Sequence, residues 1–331
     1  MAQELLHIAF RESSIYVRKS SRTFLRWTMK SRMDSLGDGS RSSDRMIINA
    51  HEHFQSIEQV PKFLEAMNQN GVVRTLIVGS PEATILTGRT GFSGYAKYNL
   101  EVLTIAKSYP EEFIAFPTIN PSDSEKTRRL EAYLEMGGQG LKLYSGHSSF
   151  HDLPLDHNGM LPVYELCQDR CVPILFHVNT GKYGDEFERV LTKFPRLKII
   201  CPHLCLSTMD TKRFEHFMDK YPRLHTDISL GVMPILKEVL TRFSQHPDKY
   251  RNLIVKYQDR IFFGTDIVIT DAPFKTAAWI GAVIRTYRNL LELKSYKFFP
   301  FEDQELQGFH LDEDVLKKMY WTNFQRFVSK S

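Results

Sequence analysis

The sequence predicts a (β/α)8 TIM barrel carrying an N-terminal helical extension. Three observations lead there. After residue 45, eight short runs rich in β-branched and aromatic residues alternate with longer amphipathic stretches, the order of a parallel sheet wound with crossover helices. The runs are apolar through their length, as strands covered on both faces are. Five of them end at or near an ionisable residue, and a barrel gathers such strand ends on the face where active sites are built.

The predicted strands, in order, are MIINA (46–50), VRTLIVG (73–79), FIAFPTI (113–119), GLKLY (140–144), VPILFH (172–177), LKIICPH (197–203), LHTDISL (224–230) and RIFFGTD (260–266). Between them lie helical stretches such as IEQVPKFLEAMNQNG, YNLEVLTIAKSYP, EKTRRLEAYLEMGG, LPVYELCQDRC, DEFERVLTKFP and TKRFEHFMDKYP, then one long stretch from ILKEVL to LIVKYQ. Several close on Gly or Pro, as helix ends do. An open doubly wound sheet is the competing architecture. No GxGxxG or Walker loop follows any strand, which weakens a nucleotide-binding version, and RTGFSGY (89–95) stands in a long loop with no phosphate role assigned.

Composition is globular, with 42% apolar and 25% charged residues among 331. The net charge of +4 is local: residues 1–45 carry nine Lys/Arg against five acids, and the remainder carries 34 of each. The chain therefore divides into a basic extension and linker, 1–45, ending in GDGSRSSD, and a barrel over 46–331. A neutral body lacks the electrostatic footprint of a nucleic-acid binder. No apolar run reaches the ~20 residues of a membrane span; WIGAVI (279–284) is far too short. The extension is Arg- and Ser-rich like a transit peptide, yet holds Glu4 and Glu12 and lacks an apolar signal core. Cytoplasmic localisation is the expectation, with organellar targeting left open. Four cysteines in such a chain read as reduced thiols.

The ionisable strand ends are His51 and His53 on the first run, Lys142 on the fourth, His177 on the fifth, His203 on the sixth and Asp266 on the eighth. In a strand, His51 and His53 share a face while Glu52 takes the other. Each signal alone is weak. An HxH pair is often incidental, His177 or His203 alone reads as a satisfied core histidine, Asp266 as a helix cap, and Lys142 as a side chain snorkelling from the rim. Together they point to a metal site, since imidazole and carboxylate suit zinc, with manganese or iron as alternatives. Cys201 and Cys205 offer a rival ligand set but are assigned to core packing. His147, His151 and His157 fall in a loop and are not counted in the site. His7, His216, His225, His246 and His310 are read as structural or surface.

These residues resemble the amidohydrolase superfamily, in the amidohydrolase-2 group that includes aminocarboxymuconate-semialdehyde decarboxylase and several hydrolases and lactonases. The resemblance runs from residue 46 to about 328 and includes the closing segment LDEDVLKKMYWTNFQRFV. It implies His51, His53, His177 and Asp266 as metal ligands, and His203 as the base or electrophile facing the substrate. Asn49 departs from an Asp common in the family. Lys142 stands where binuclear relatives carry a carboxylated lysine bridging two metals; one metal is favoured here and a second stays open.

The expected function is metal-dependent hydrolysis of a small anionic ester, lactone or amide by a metal-activated water. Asp266 would orient the water and take its proton, His203 would stabilise developing charge or shuttle that proton, and Lys142, Tyr144 and Arg89 would hold a substrate carboxylate. Non-oxidative decarboxylation or hydration of an unsaturated or aromatic acid is the second reading. A nuclease and a catalytically inactive binding barrel rank below both. The expected partner is a small molecule, with homo-oligomer formation open.

Overall fold

The computed structural model describes residues 46–231, 233–298 and 301–329. The expected helical extension and linker, 1–45, lie outside the described residues. The parallel strands are β1 (Ile47–Phe54), β2 (Val72–Val78), β3 (Phe113–Phe116), β4 (Leu141–Gly146), β5 (Ile174–Val178), β6 (Ile199–Ile200), β7 (Leu224–Asp227), β8 (Ile261–Phe262) and β9 (Ile267–Ile269). They pair in the orders β3-β2-β1-β9 and β4-β5-β6-β7-β8. A bridge between Thr118 and Lys142 joins β3 to β4. On the opposite side the eighth strand is interrupted: β8 pairs with β7, residues 263–266 break away, and β9 pairs with β1. Across the break Ala50 N–H donates to Phe263 O (2.8 Å) and Asp266 N–H to His51 O (2.8 Å). The ring of strands is thereby closed, as the sequence predicts.

The helices that cover it are α1 (Val60–Gln69), α2 (Tyr95–Ser108), α3 (Lys126–Glu135), α4 (Leu161–Asp169), α5 (Thr180–Lys193), α6 (Thr211–Lys220), α7 (Met233–Gln245), α8 (Pro247–Lys256) and α9 (Ala277–Glu292). Their starts follow capping chemistry. Asn179 accepts from Gly181 N–H, Asp210 from Arg213 N–H and Thr276 from Trp279 N–H, each satisfying an otherwise orphaned helix donor. The long seventh stretch divides into α7 and α8 because Pro247 cannot donate to the preceding turn and sits instead in the first turn of a new helix.

Alternation sorts the side chains into two layers. Ile48, Ala50, Leu76, Val78, Ile114, Phe116, Leu175, Ile200 and Phe262 form one cluster inside the barrel, with Phe324 and Phe327 of the terminal helix α11 (Asn323–Val328) packed into it; α10 (Glu313–Lys317) precedes it. Their neighbours along each strand, including Ile47, Ile77, Ala115, Leu143, Phe176, Ile199 and Phe263, face the helices in a second, larger cluster. An antiparallel hairpin, β10 (Ser295–Phe298) and β11 (Phe301–Gln307), was not expected from the sequence.

Candidate metal centre

The opening strand delivers the histidine pair by a change of register. Asn49 pairs with Thr75 and Glu52 with Ile77, so β1 carries one residue more than β2 between those pairs. Such a bulge reverses the side-chain alternation. Before it, Ile48 and Ala50 point inward; after it, His51 and His53 do. Asn49 and Glu52 consequently share the outer side, where Asn49 Nδ2 donates to Glu52 Oε1 (2.6 Å). Glu52 also accepts from Thr265 Oγ1 and from Ile267 N–H (2.6 Å), which ties the bulge to the break in the eighth strand. Burial pushes the Glu52 carboxyl well above its usual range, opposed by these donors.

Asp266 projects from that break with φ 54°, a left-handed conformation that Asp adopts more readily than most residues. Its Oδ1 lies 2.8 Å from His53 Nε2 and 3.3 Å from His51 Nε2, and its Oδ2 lies 3.7 Å from His203 Nε2. Ligand atoms of His51, His53 and Asp266 all fall within 4.8 Å of one another, and a second such group joins His51, His203 and Asp227. Lys142, fully buried on β4, places Nζ 3.1 Å from His51 Nε2. Tyr144, two residues on, donates to Ser80 Oγ (3.0 Å), which is 2.8 Å from His53 Nδ1.

His177 belongs to neither ligand group. Its ring lies 4.9 Å from that of His203 and 4.7 Å from that of His147. Its Nε2 is buried without a hydrogen-bond partner, an arrangement that costs free energy unless something else satisfies the nitrogen. His203 does not end an extended strand as expected. β6 stops at Ile200, and after Pro202 the residues His203 to Leu206 all take positive φ, between 48° and 61°. Four non-glycine residues in that region store strain. The turn is held by Asp227 Oδ1, accepting from His203 N–H (3.0 Å), and by Cys205 O, accepting from Thr180 Oγ1 (2.6 Å). Cys201 and Cys205 are buried in the core cluster, in keeping with packing.

The electrostatics suit a cation. Burial pushes His51 down to about 4, and Lys142 adds to this while Asp266 opposes it. Burial likewise lowers His53, and puts His177 well below its usual value. The imidazoles are therefore neutral, the form that ligates metal. Burial opposes ionisation of Asp266, but the His51 and His53 rings outweigh it and hold the carboxyl well below its usual range. Burial also pushes Lys142 down to about 8 against the pull of Asp266 and Asp227. Converging neutral imidazoles, an ionised carboxylate and an unpartnered His177 nitrogen make a donor set that fits a divalent ion.

Arg89 is not brought into this group; it is 61% exposed, with Glu82 as its partner at 3.9 Å. The sequence reading missed Asp227, Ser229 and Ser80. Asp227 carried a signal: the seventh run contains TD, the pair on which the eighth run ends. Of the loop histidines, His147 is the one beside the site, whereas His151 stacks on Tyr183 (3.7 Å) and bonds Glu186 (2.8 Å).

The family model described as Amidohydrolase, the second of that name, matches residues 85–329. The chain belongs to the amidohydrolase family. It is thereby placed among enzymes, as the sequence reading expected. Within this amidohydrolase the match covers Lys142, Tyr144, His177, His203 and Asp266 and begins after the histidine pair of β1. Its fold is similar to that of 2,6-dihydroxybenzoate decarboxylase from Rhizobium, at 14% identity and TM-score 0.55, over 86% of this chain and 98% of that one. It is also similar to a probable 2-pyrone-4,6-dicarboxylic acid hydrolase from Acinetobacter baumannii with citric acid bound, at 11% identity and TM-score 0.57, over 86% and 99%. A third is 5-carboxyvanillate decarboxylase from Novosphingobium aromaticivorans complexed with manganese, at 12% and 0.52, over 87% and 97%. No curated protein matches the chain. No helix among the described residues is long and apolar enough to cross a membrane.

Proposed function

We propose that this amidohydrolase is a metal-dependent hydrolase of a small anionic ester, lactone or amide. The observation that carries the reading is the convergence of His51, His53 and Asp266 within 4.8 Å, with the Lys142 ammonium on the same wall. Nε2 of His51, Nε2 of His53 and Asp266 Oδ1 would hold the ion, with His177 Nε2 as the further donor. Such an ion, zinc or manganese, supplies Lewis-acid polarisation of a substrate oxygen and acidifies water.

The protein's own groups would carry the protons. Asp266 Oδ2, the oxygen not turned to His53, accepts the proton from the attacking water. His203 Nε2, 3.7 Å from Oδ2, relays it to the departing oxygen or nitrogen as the acyl bond breaks. Lys142 and Tyr144 would engage a substrate carboxylate, and Arg89 has no such role in this proposal. The site would be roofed by Phe92, Tyr144 and Phe150, a buried aromatic cluster from β4 and the loops after β2 and β4.

That aromatic roof, which suits a planar ring, and the two decarboxylases among the similar structures favour a second reading, decarboxylation of an aromatic or unsaturated acid. Zinc- or manganese-loaded protein is incubated with carboxylate-bearing lactones, esters and amides, and separately with aromatic acids. Ring opening or acyl cleavage is expected, with His203→Gln lowering kcat about 100-fold. Release of CO2 without any hydrolysis would overturn the hydrolytic reading.

A further inference from the structure

Asp227 reaches two histidines that come from the first strand and from the turn after the sixth. Its Oδ2 lies 3.2 Å from His51 Nδ1. Its Oδ1 accepts from His203 N–H (3.0 Å), Ser229 N–H (3.0 Å) and Ser229 Oγ (2.6 Å). Ser229 in turn faces both rings: its carbonyl oxygen is 2.8 Å from His203 Nδ1, and its Oγ is 2.9 Å from that nitrogen and 3.4 Å from His51 Nδ1. All of these groups are buried.

The donor and acceptor roles close in one way. A carboxylate can only accept, so the His51 contact requires the proton on Nδ1. A carbonyl oxygen can only accept, so His203 also carries its proton on Nδ1. The Ser229 hydroxyl spends its proton on Asp227 and is left as an acceptor toward the imidazoles. Both rings then present a bare Nε2. That of His51 faces Lys142 Nζ at 3.1 Å and Asp266 Oδ1 at 3.3 Å, and that of His203 faces Asp266 Oδ2 at 3.7 Å.

We infer that Asp227 and Ser229 form a positioning clamp that fixes His51 and His203 together in the Nδ1–H tautomer, aiming both Nε2 lone pairs at the centre. Asp227 is thus a positioning residue acting through the two rings. The clamp also anchors the first residue of the left-handed turn at His203–Leu206, so the strained backbone and the ring orientation share one support. A missing clamp would leave His51 free to protonate Nε2, the nitrogen that must be bare to bind an ion.

The metal arm of the test rests on the proposed function, and the tautomer arm does not. The full chain, stripped of metal by chelation and labelled with 15N at histidine, is examined by long-range 1H–15N NMR at pH 7.5, with resonances assigned from single histidine substitutions. The wild-type protein is expected to show Nδ1–H at both His51 and His203. Asp227→Asn, nearly isosteric, turns an amide N–H toward His51 Nδ1 and should switch that ring to Nε2–H, weakening zinc binding 10- to 100-fold by competition titration. Nε2–H at His51 in the wild-type protein, or an unchanged tautomer and zinc affinity in Asp227→Asn, would overturn the clamp. The wild-type spectrum decides even where Asp227→Asn fails to fold. Nδ1–H at both rings in a protein that takes up no zinc supports the clamp and counts against the metal reading alone.

Discussion

Lys142 is fully buried among histidines, its Nζ 3.1 Å from His51 Nε2 and 4.8 Å from the centre of the Tyr144 ring. Burying an ammonium is costly unless its charge is used. Lys142→Met keeps the length of the side chain and removes the charge, so the fold should survive and metal content should persist. The KM for a carboxylate substrate should rise about 10- to 100-fold, the worth of a charge-assisted hydrogen bond. An unchanged KM would remove Lys142 from substrate binding. Glu52 makes the opposite case, a structural carboxyl beside the site. Glu52→Ala leaves Thr265 Oγ1 and Ile267 N–H without their acceptor and Asn49 Nδ2 with Thr265 Oγ1 alone, a loss of about 2–4 kcal/mol in urea unfolding. At this scale the sequence revealed the histidines and Asp266 because they stand at strand ends. Ser229 was hidden, and Asp227 carried only the weak signal of its TD pair, because the importance of both lies in what they bond, across more than 170 residues to His51.

The strands were legible as existing elements and poorly legible as lengths. The first was expected to stop at Ala50 and runs to Phe54, whereas the sixth was expected over seven residues and keeps two, Ile199–Ile200. A bulge and a left-handed turn explain both errors, since neither leaves a pattern in the residue types. The bulge corrected nothing in the relation of His51 to His53, which is why alternation still paired them correctly. The terminal helix α11 offers a test of the other end. Phe324 and Phe327 pack into the barrel interior with Phe262 at 5.6 and 5.4 Å between ring centres. Phe327→Ala should cost about 3–5 kcal/mol, read as a lower urea midpoint with the metal affinity unchanged. A loss below 1 kcal/mol would show that the helix is not part of the barrel's support.

Across the barrel, polar residues line the active face, an apolar cluster with the terminal helix fills the opposite end, and histidines lie at both. His225 lies toward the apolar end, stacked on Phe262 (5.3 Å) and near Phe327 (4.8 Å). Burial pushes it down to about 4, below the ordinary value of about 6.5. The unfolded chain therefore binds the proton more readily, and the stability tied to His225 is full above about pH 6.5 and lost as pH falls toward 4. His225→Phe should flatten the decline of Tm over that interval; an unchanged slope would show that His225 is not its source. The fold class was legible because eight alternating units repeat along the chain, while the substrate was not, because it depends on the loops that roof the site. The most direct test of the account is the metal content of the purified full chain after reconstitution with zinc. About one ion per chain is predicted for the wild-type protein and essentially none for His51→Ala. A wild-type protein that retains no ion, or a His51→Ala protein that retains it in full, would contradict the account.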